Sequence, residues 1–292
     1  MTTTLDDRMQ IVFATDLQAR SRTLLGVAGD LARAIPASIT LVHALQPELG
    51  RGLSGGDRQT LWVRARQEAE AALDLQVREL ADAGIEVGAP VLALDEPVDR
   101  AILVVVEARG ADMVVAGSTA REGKGHRIGS TADRLLRTSP VPVLVLRGEP
   151  TVPFGSVALL TDFSPRSRRA HITGVRALPT TDEATIHLVH VGDETLRVLA
   201  ATYEERTLTE AIDETRTLGE ALGLPAGRIQ PRVEWGRDPL DVLLPILAAD
   251  EYDALVLGTH GHGGFRRALI GSVAMGLAQS APCSVLVVPG DG

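Results

Sequence analysis

Residues 254–288 read ALVLGTHGHGGFRRALIGSVAMGLAQSAPCSVLVV. An apolar run, Ala254 to Leu257, has the length of a buried strand. It gives way to glycines at 258, 261, 263 and 264, then to a helix start at Gly271-Ser272 and a second apolar strand, Ser284 to Val288. A strand, glycine loop and helix in that order can aim several unpaired backbone amides at one anion, where the helix dipole adds positive potential. The stretch therefore reads as phosphate-binding machinery within an α/β fold.

Upstream of it, apolar runs alternate with helical patterns. The run IVFATD (11–16) ends in a carboxylate, and Ser21 to Ile35 places Leu24, Leu25, Ala28, Leu31, Ala32 and Ile35 at helical spacing, with Pro36 ending the helix. ITLVHAL (39–45) predicts a strand and QPELGRGLSGGD an exposed loop. Residues 58–83 predict a long helix with Leu61, Ala65, Ala69, Ala72 and Leu80 on its apolar stripe, stopped at Gly84. A strand over 85–94, a helix over 98–109, a strand over 113–116, the loop GSTAREGKGHR, a helix from Gly129 and a strand over 143–146 complete the first half. Such alternation implies a doubly wound parallel sheet.

The second half repeats the first. ALLTD (158–162) answers VFATD (12–16), IHLVHV (186–191) answers ITLVHA (39–44), and DALVLG (253–258) answers DMVVAG (112–117). Gly271-Ser272 answers Gly129-Ser130, and Ser167 stands after Asp162 as Ser21 does after Asp16. Landmarks in one order, offset by 141 to 147 residues, indicate a duplicated domain. RGEPTVPFG (147–155) reads as the linker, which places two five-stranded domains at 1–147 and 156–292.

Composition narrows the classes. At 292 residues two domains are the expected number, and 45% hydrophobic with 23% charged residues is ordinary for a soluble globular protein. The start MTTTLDDRMQ is acidic and polar, unlike a signal peptide, and a single cysteine, Cys283, cannot form an internal disulfide, so the cytoplasm is the expected compartment. A net charge of −9 disfavours nucleic acid or an acidic membrane as the main partner, so any phosphate site must be local.

Ligands of an open parallel sheet bind at the carboxyl ends of the strands. Asp162 ends the first strand of the second half and Gly258 the fourth. Asp162 would repel phosphates, so it either accepts hydrogen bonds from a base or sugar at the far end of a nucleotide or caps the following helix. Arg266 and Arg267 either neutralise phosphates or are surface charge. His260 and His262 lack the neighbours of a metal site and read as a solvated loop, and His43 and His190 read as core or crevice-edge histidines. Lys124 completes no P-loop, and Trp62 and Trp235 are too scattered for a nucleic-acid stacking platform.

The spacing Gly258-x2-Gly261-x9-Gly271-Ser272, behind an apolar strand and preceded by Asp162, resembles the nucleotide-binding motif of the universal stress protein family. The duplicated halves resemble its tandem-domain members over residues 9–147 and 156–289. The resemblance implies an adenine nucleotide alpha hydrolase-like fold with strand order 3-2-1-4-5, the two domains related by a pseudo-twofold axis. It also implies an ATP site, with or without Mg2+, between strands one and four. Carried over, that site comprises Thr161, Asp162 and Val191 around the adenine, and Gly258, Gly261, Arg266, Gly271, Ser272 and Val273 around the phosphates.

The first half departs from the pattern. It keeps Asp16, Gly117, Gly129 and Ser130, but Ala120 stands at the second glycine and only eight residues separate it from Gly129. Alanine held in a left-handed conformation costs about 1 kcal/mol or more, so this is the weaker site.

Three functions stay open: an ATP-binding stress-response regulator, a slow ATPase or nucleotidyl-transfer enzyme, and a ligand-free interaction scaffold. Cyclic AMP is a competing ligand. No catalytic set is visible beside the loop. PVLVL (142–146) and SVLVV (284–288) would be sheet edges in the implied order, and pairing with each other would cover both. A protein partner and a homodimer of the two-domain chain are further expectations.

Overall fold

The computed structural model describes residues 8–45, 52, 54–94, 96–120, 126–249, 252–259 and 270–290. The chain forms two compact units, residues 1–117 with 130–135, and residues 118–129 with 136–292. In chain order the elements are β1 (Met9–Ala14), α1 (Ala19–Ala34), β2 (Ala37–Leu45), α2 (Gly55–Asp82), β3 (Glu86–Val87), β4 (Val91–Leu94), α3 (Val98–Arg109), β5 (Met113–Gly117), β6 (Thr119–Ala120), β7 (His126–Arg127), α4 (Ser130–Thr138) and β8 (Val143–Leu146). They continue as β9 (Phe154–Leu160), α5 (Pro165–Ala177), β10 (Thr180–Asp193), α6 (Glu194–Leu199), α7 (Tyr203–Leu222), β11 (Ile229–Gly236), α8 (Pro239–Ala249), β12 (Ala254–Gly258), α9 (Ser272–Ser280) and β13 (Ser284–Val288).

In the first unit β1 lies between β5 and β2, all parallel, and β3 and β4 both pair with β2. The single strand expected over 85–94 is thus two pieces. Pro90 has no N–H to give a ladder, and a side chain at Gly88 would meet Thr40 Oγ1 at 2.7 Å, so the chain detours between them. Along α2 the buried residues are Ala69, Leu73, Gln76 and Leu80 rather than the full alanine-rich stripe. The larger Leu73 reaches the core where Ala65 and Ala72 do not.

The second unit has the order β11-β10-β9-β12-β13-β8. Its first five members are parallel and correspond to strands 3-2-1-4-5 of the second repeat. β8, the last strand of the first repeat, joins β13 antiparallel, with Leu144 opposite Leu286. The two runs expected to be edges therefore cover each other. The linker is shorter than its composition suggested, because Phe154 is fully buried and begins β9.

Arg147, read as linker, is instead buried at 3% exposure. Its guanidinium donates to the carbonyl oxygens of Ala278 and Ala281 at the end of α9, and its backbone N–H donates to Ser284 Oγ at 3.2 Å. A helix C-terminus leaves carbonyls without partners and carries partial negative charge, and a forked cation answers both. Burial lowers the Arg147 pKa to about 10, so it stays charged at neutral pH, while burial pushes the Cys283 thiol up to about 12.

His171 on α5 is fully buried, and its Nε2 lies 2.8 Å from the Leu160 carbonyl, which makes Nε2 the protonated nitrogen. Burial, opposed by the bond to Leu160 and by Glu214 and Asp162, lowers its pKa from 6.5 to about 4. Nearby, Arg168 holds the buried Glu214 of α7 through two bonds, the Nε one 2.8 Å long.

Two outcomes follow. Arg147→Met should lower the unfolding free energy in urea by about 2 kcal/mol, because two carbonyls lose a charged donor, and Arg147→Lys should restore only part of it. For His171, neither folded nor unfolded chain holds the proton above pH 6.5. As pH falls towards 4 the unfolded chain takes it up first, and stability drops by about 3 kcal/mol. His171→Gln keeps a donor for Leu160 without titrating, so the difference between its pH–stability curve and that of the wild type should shift by that amount over this window.

Candidate functional site

β9 and β12 are neighbouring parallel strands, with Leu159 level with Val256. Thr161-Asp162 and Gly258-Thr259 consequently leave their strands at one edge of the sheet, the carboxyl edge. Their adjacency is fixed at the opposite edge, where the Asp253 carboxylate accepts the N–H groups of Gly155 and Ser156 at 2.7 and 2.9 Å.

The tip of β9 is tightly tied. The Thr161 N–H donates to the Val189 carbonyl at 2.9 Å, and the Thr161 carbonyl lies 2.9 Å from His190 Nδ1, which donates to it. Thr161 Oγ1 accepts the Phe163 N–H and Asp162 Oδ1 accepts the Ser164 N–H. Between them Phe163 takes a left-handed conformation, φ 62°, and its ring stacks on His190 at 4.2 Å. A non-glycine residue in that region stores strain of order 1 kcal/mol or more, held here by the bonds on either side. Asp162 is not the helix cap: Ser164 is, its side chain accepting the Ser167 N–H.

The loop after β12 is closed at its base. The Gly271 N–H donates to the Thr259 carbonyl at 2.7 Å, the Thr259 N–H to Val288, and the Gly290 N–H to Thr259 Oγ1. Gly271 is the N-cap of α9 and has no side chain to cap it, so the first-turn amides from Ser272, Val273 and Ala274 receive none from that position. Its φ of −60° is open to any residue, and an added Cβ would make only ordinary contact with the Thr259 carbonyl at 3.5 Å. Glycine is therefore not required here by an unusual backbone angle. Gly261 and Arg266, with His260, His262 and Arg267, lie outside the described residues.

Val191 follows His190 on β10 and is half-buried. The next residue, Gly192, lies beneath Trp235 of β11, where a Cβ would meet the ring at 2.4 Å. Trp235 also meets Tyr203 edge-on and carries the Arg197 guanidinium at 4.9 Å. Thr259, Phe163 and Trp235 were not legible as site residues. The bare Gly192 next to Val191 was the one sequence hint that a bulky group lies over this strand.

In the first unit the tip of β1 repeats these bonds. His43 Nδ1 lies 2.9 Å from the Thr15 carbonyl, Leu17 has φ 62°, and Asp16 Oδ1 accepts the Gln18 N–H at 2.9 Å. Asp16 Oδ1 also accepts the Ser21 hydroxyl, and Asp16 is exposed where Asp162 is half-buried. A Cβ at Gly117 would lie 2.6 Å from Leu24 Cδ1, the far end of that side chain. The segment after it pairs with itself, β6 antiparallel to β7, with Ala120 opposite His126. Ser118, in the place of Thr259, has its hydroxyl buried without a hydrogen-bond partner. Ser130 opens α4 and Gly129 precedes it. Lys124 lies outside the described residues. Among the described residues no group of three His, Cys, Asp or Glu side chains is placed to hold a metal, and no helix is long and apolar enough to cross a membrane.

Comparison with known proteins bears on this arrangement. The model of the universal stress protein family matches residues 8–147 and again 153–289. A universal stress protein of Mycolicibacterium smegmatis is 29% identical over 287 residues, 95% of this chain and 96% of that one. Among solved structures, a universal stress protein from Archaeoglobus fulgidus superposes with a TM-score of 0.71 at 21% identity, covering 96% of this chain and 98% of that one. One described as a putative universal stress protein from Pseudomonas aeruginosa gives 0.67 at 20% identity, covering 97% and 94%. With the family model matched twice across nearly the whole length, this chain belongs to the universal stress protein family as a tandem-domain member.

Proposed function

We propose that this protein is an ATP-binding regulator of the cytoplasmic stress response, with its nucleotide site in the second repeat. The observation that carries this reading is the pairing of two features beside adjacent strands: a carboxylate on a strained strand tip, and a helix end whose N-cap, Gly271, offers no side chain to the first-turn amides. ATP, when bound, supplies a triphosphate anion at one end and hydrogen-bond donors on its base and ribose at the other.

The chain's own residues divide accordingly. Asp162 would accept from the base or sugar, with Thr161 and Val191 beside it. The backbone from Gly258 through Gly261 to Gly271, Ser272 and Val273 would donate to phosphate oxygens, and Arg266 would neutralise charge in an otherwise acidic protein. A companion Mg2+ would be held through the phosphates. The role is binding, with occupancy ordering the loop and so changing what a protein partner meets. Asp16, Gly117, Gly129 and Ser130 are the weaker candidates, because the segment after Gly117 is paired as β6–β7 and Asp16 accepts the Ser21 hydroxyl.

Gly271→Glu tests the assignment cleanly, since its backbone angles and the room at Cβ leave the fold undisturbed. Titration calorimetry with ATP, ADP and cyclic AMP should show binding to the wild type, strongest for ATP, and a loss of at least about a hundredfold in the variant, where a carboxylate meets phosphate. Unchanged ATP affinity in the variant would overturn the site.

A further inference from the structure

On the outer side of α7, Glu205, Thr209, Ile212 and Arg216 fall within an arc of about 60° of the helix at 100° per residue. All four are exposed, and Leu208 flanks them. Ile212 is 58% and Leu208 42% exposed, and α6, just before α7, brings Val198 and Leu199 at 75% and 76%. Leu208 and Ile212, one turn apart on the same helix, put two large apolar side chains side by side in the open, and such a patch marks a surface that associates. The opposite, buried face carries Thr207, Ala211, Glu214, Thr215 and Leu218, so the helix is already fully packed on its own unit.

The order of charges along this stripe selects the occupant. It runs from the acid Glu205 through Thr209 and Ile212 to the base Arg216. A helix with that order complements itself when a second copy lies antiparallel to it. A twofold axis midway between Thr209 and Ile212 sets Glu205 opposite the partner's Arg216, Thr209 opposite the partner's Ile212, and the reverse. On one flank Leu208 then meets its own counterpart and the partner's Ile212. On the other flank Arg206 comes within about 3 Å, along the axis, of the level of the partner's Asp213. Such isologous matching is what closed twofold dimers require. Exposed ion pairs contribute little affinity, so the apolar centre would supply the attraction and the charges the orientation. In the single chain Arg216 is paired with Asp213 at 2.9 Å on the same exposed helix.

We propose that this face of α7 is a dimer interface between two copies of the chain. It is independent of the nucleotide reading.

The test uses the full chain and two reversed charges. Sedimentation equilibrium of the wild type should show a monomer–dimer equilibrium. Glu205→Arg and Arg216→Glu, each alone, should weaken self-association by at least about tenfold, because each sets like charges opposite one another. Mixing the two variants should restore dimers, since every facing pair is then opposite in sign, and the double variant should dimerise by itself. Circular dichroism of the variants should overlay the wild type, as both positions are exposed. A wild type that stays monomeric at every concentration overturns the proposal. So does a dimer indifferent to both single reversals, or a mixture that fails to reassociate.

Discussion

The parallel pairing of β9 with β12 is the constraint on which the second unit depends. The two strands are far apart in sequence and belong to different βα units, yet their register sets which residues share the carboxyl edge. The Asp253 carboxylate fixes that register from the other end by taking two consecutive amides of β9, and the first repeat uses Asp112 in the same way, accepting the Gln10 N–H at 2.7 Å. A shift of one residue would turn every core side chain of β9 to the opposite face. The polar contact at one end of the strand is thus a condition for the geometry at the other.

Much of the architecture was legible because the repeats are long and strongly patterned. The apolar runs at 113–116, 143–146, 254–257 and 284–288 sit in strands at or within a residue of those bounds. Gly271 announced the start of α9 correctly. The failures have physical causes. A single apolar run hid the break at Gly88 and Pro90, and β10 runs well beyond its apolar centre because its ends hold hydrogen bonds with polar side chains outward. Arg147 sits in a proline- and glycine-rich segment, so composition read it as solvent-facing while the carbonyls at the end of α9 bury it.

Of the candidate site, sequence located the two ends but not what holds them. Asp162, Gly258 and Gly271 were marked by residue type and spacing. Thr259 closes the loop through its backbone, for which a threonine leaves no mark, and the left-handed Phe163 is invisible because nothing in its identity signals positive φ. That Leu17 has the same angle at the same place shows the strained turn to be part of the duplicated unit, retained at both tips.

The pairing of β8 with β13 bears on how such a protein can be divided. The repeat boundary in sequence and the seam between compact units do not coincide, since residues 136–147 lie on the far side of the repeat boundary from the unit they help build. A fragment begun at the second repeat would forfeit a strand along β13 and the guanidinium plug at the foot of α9. The two repeats in sequence therefore do not map one to one onto the two compact units. Dissection of this chain is sounder when guided by hydrogen bonding than by homology between its halves.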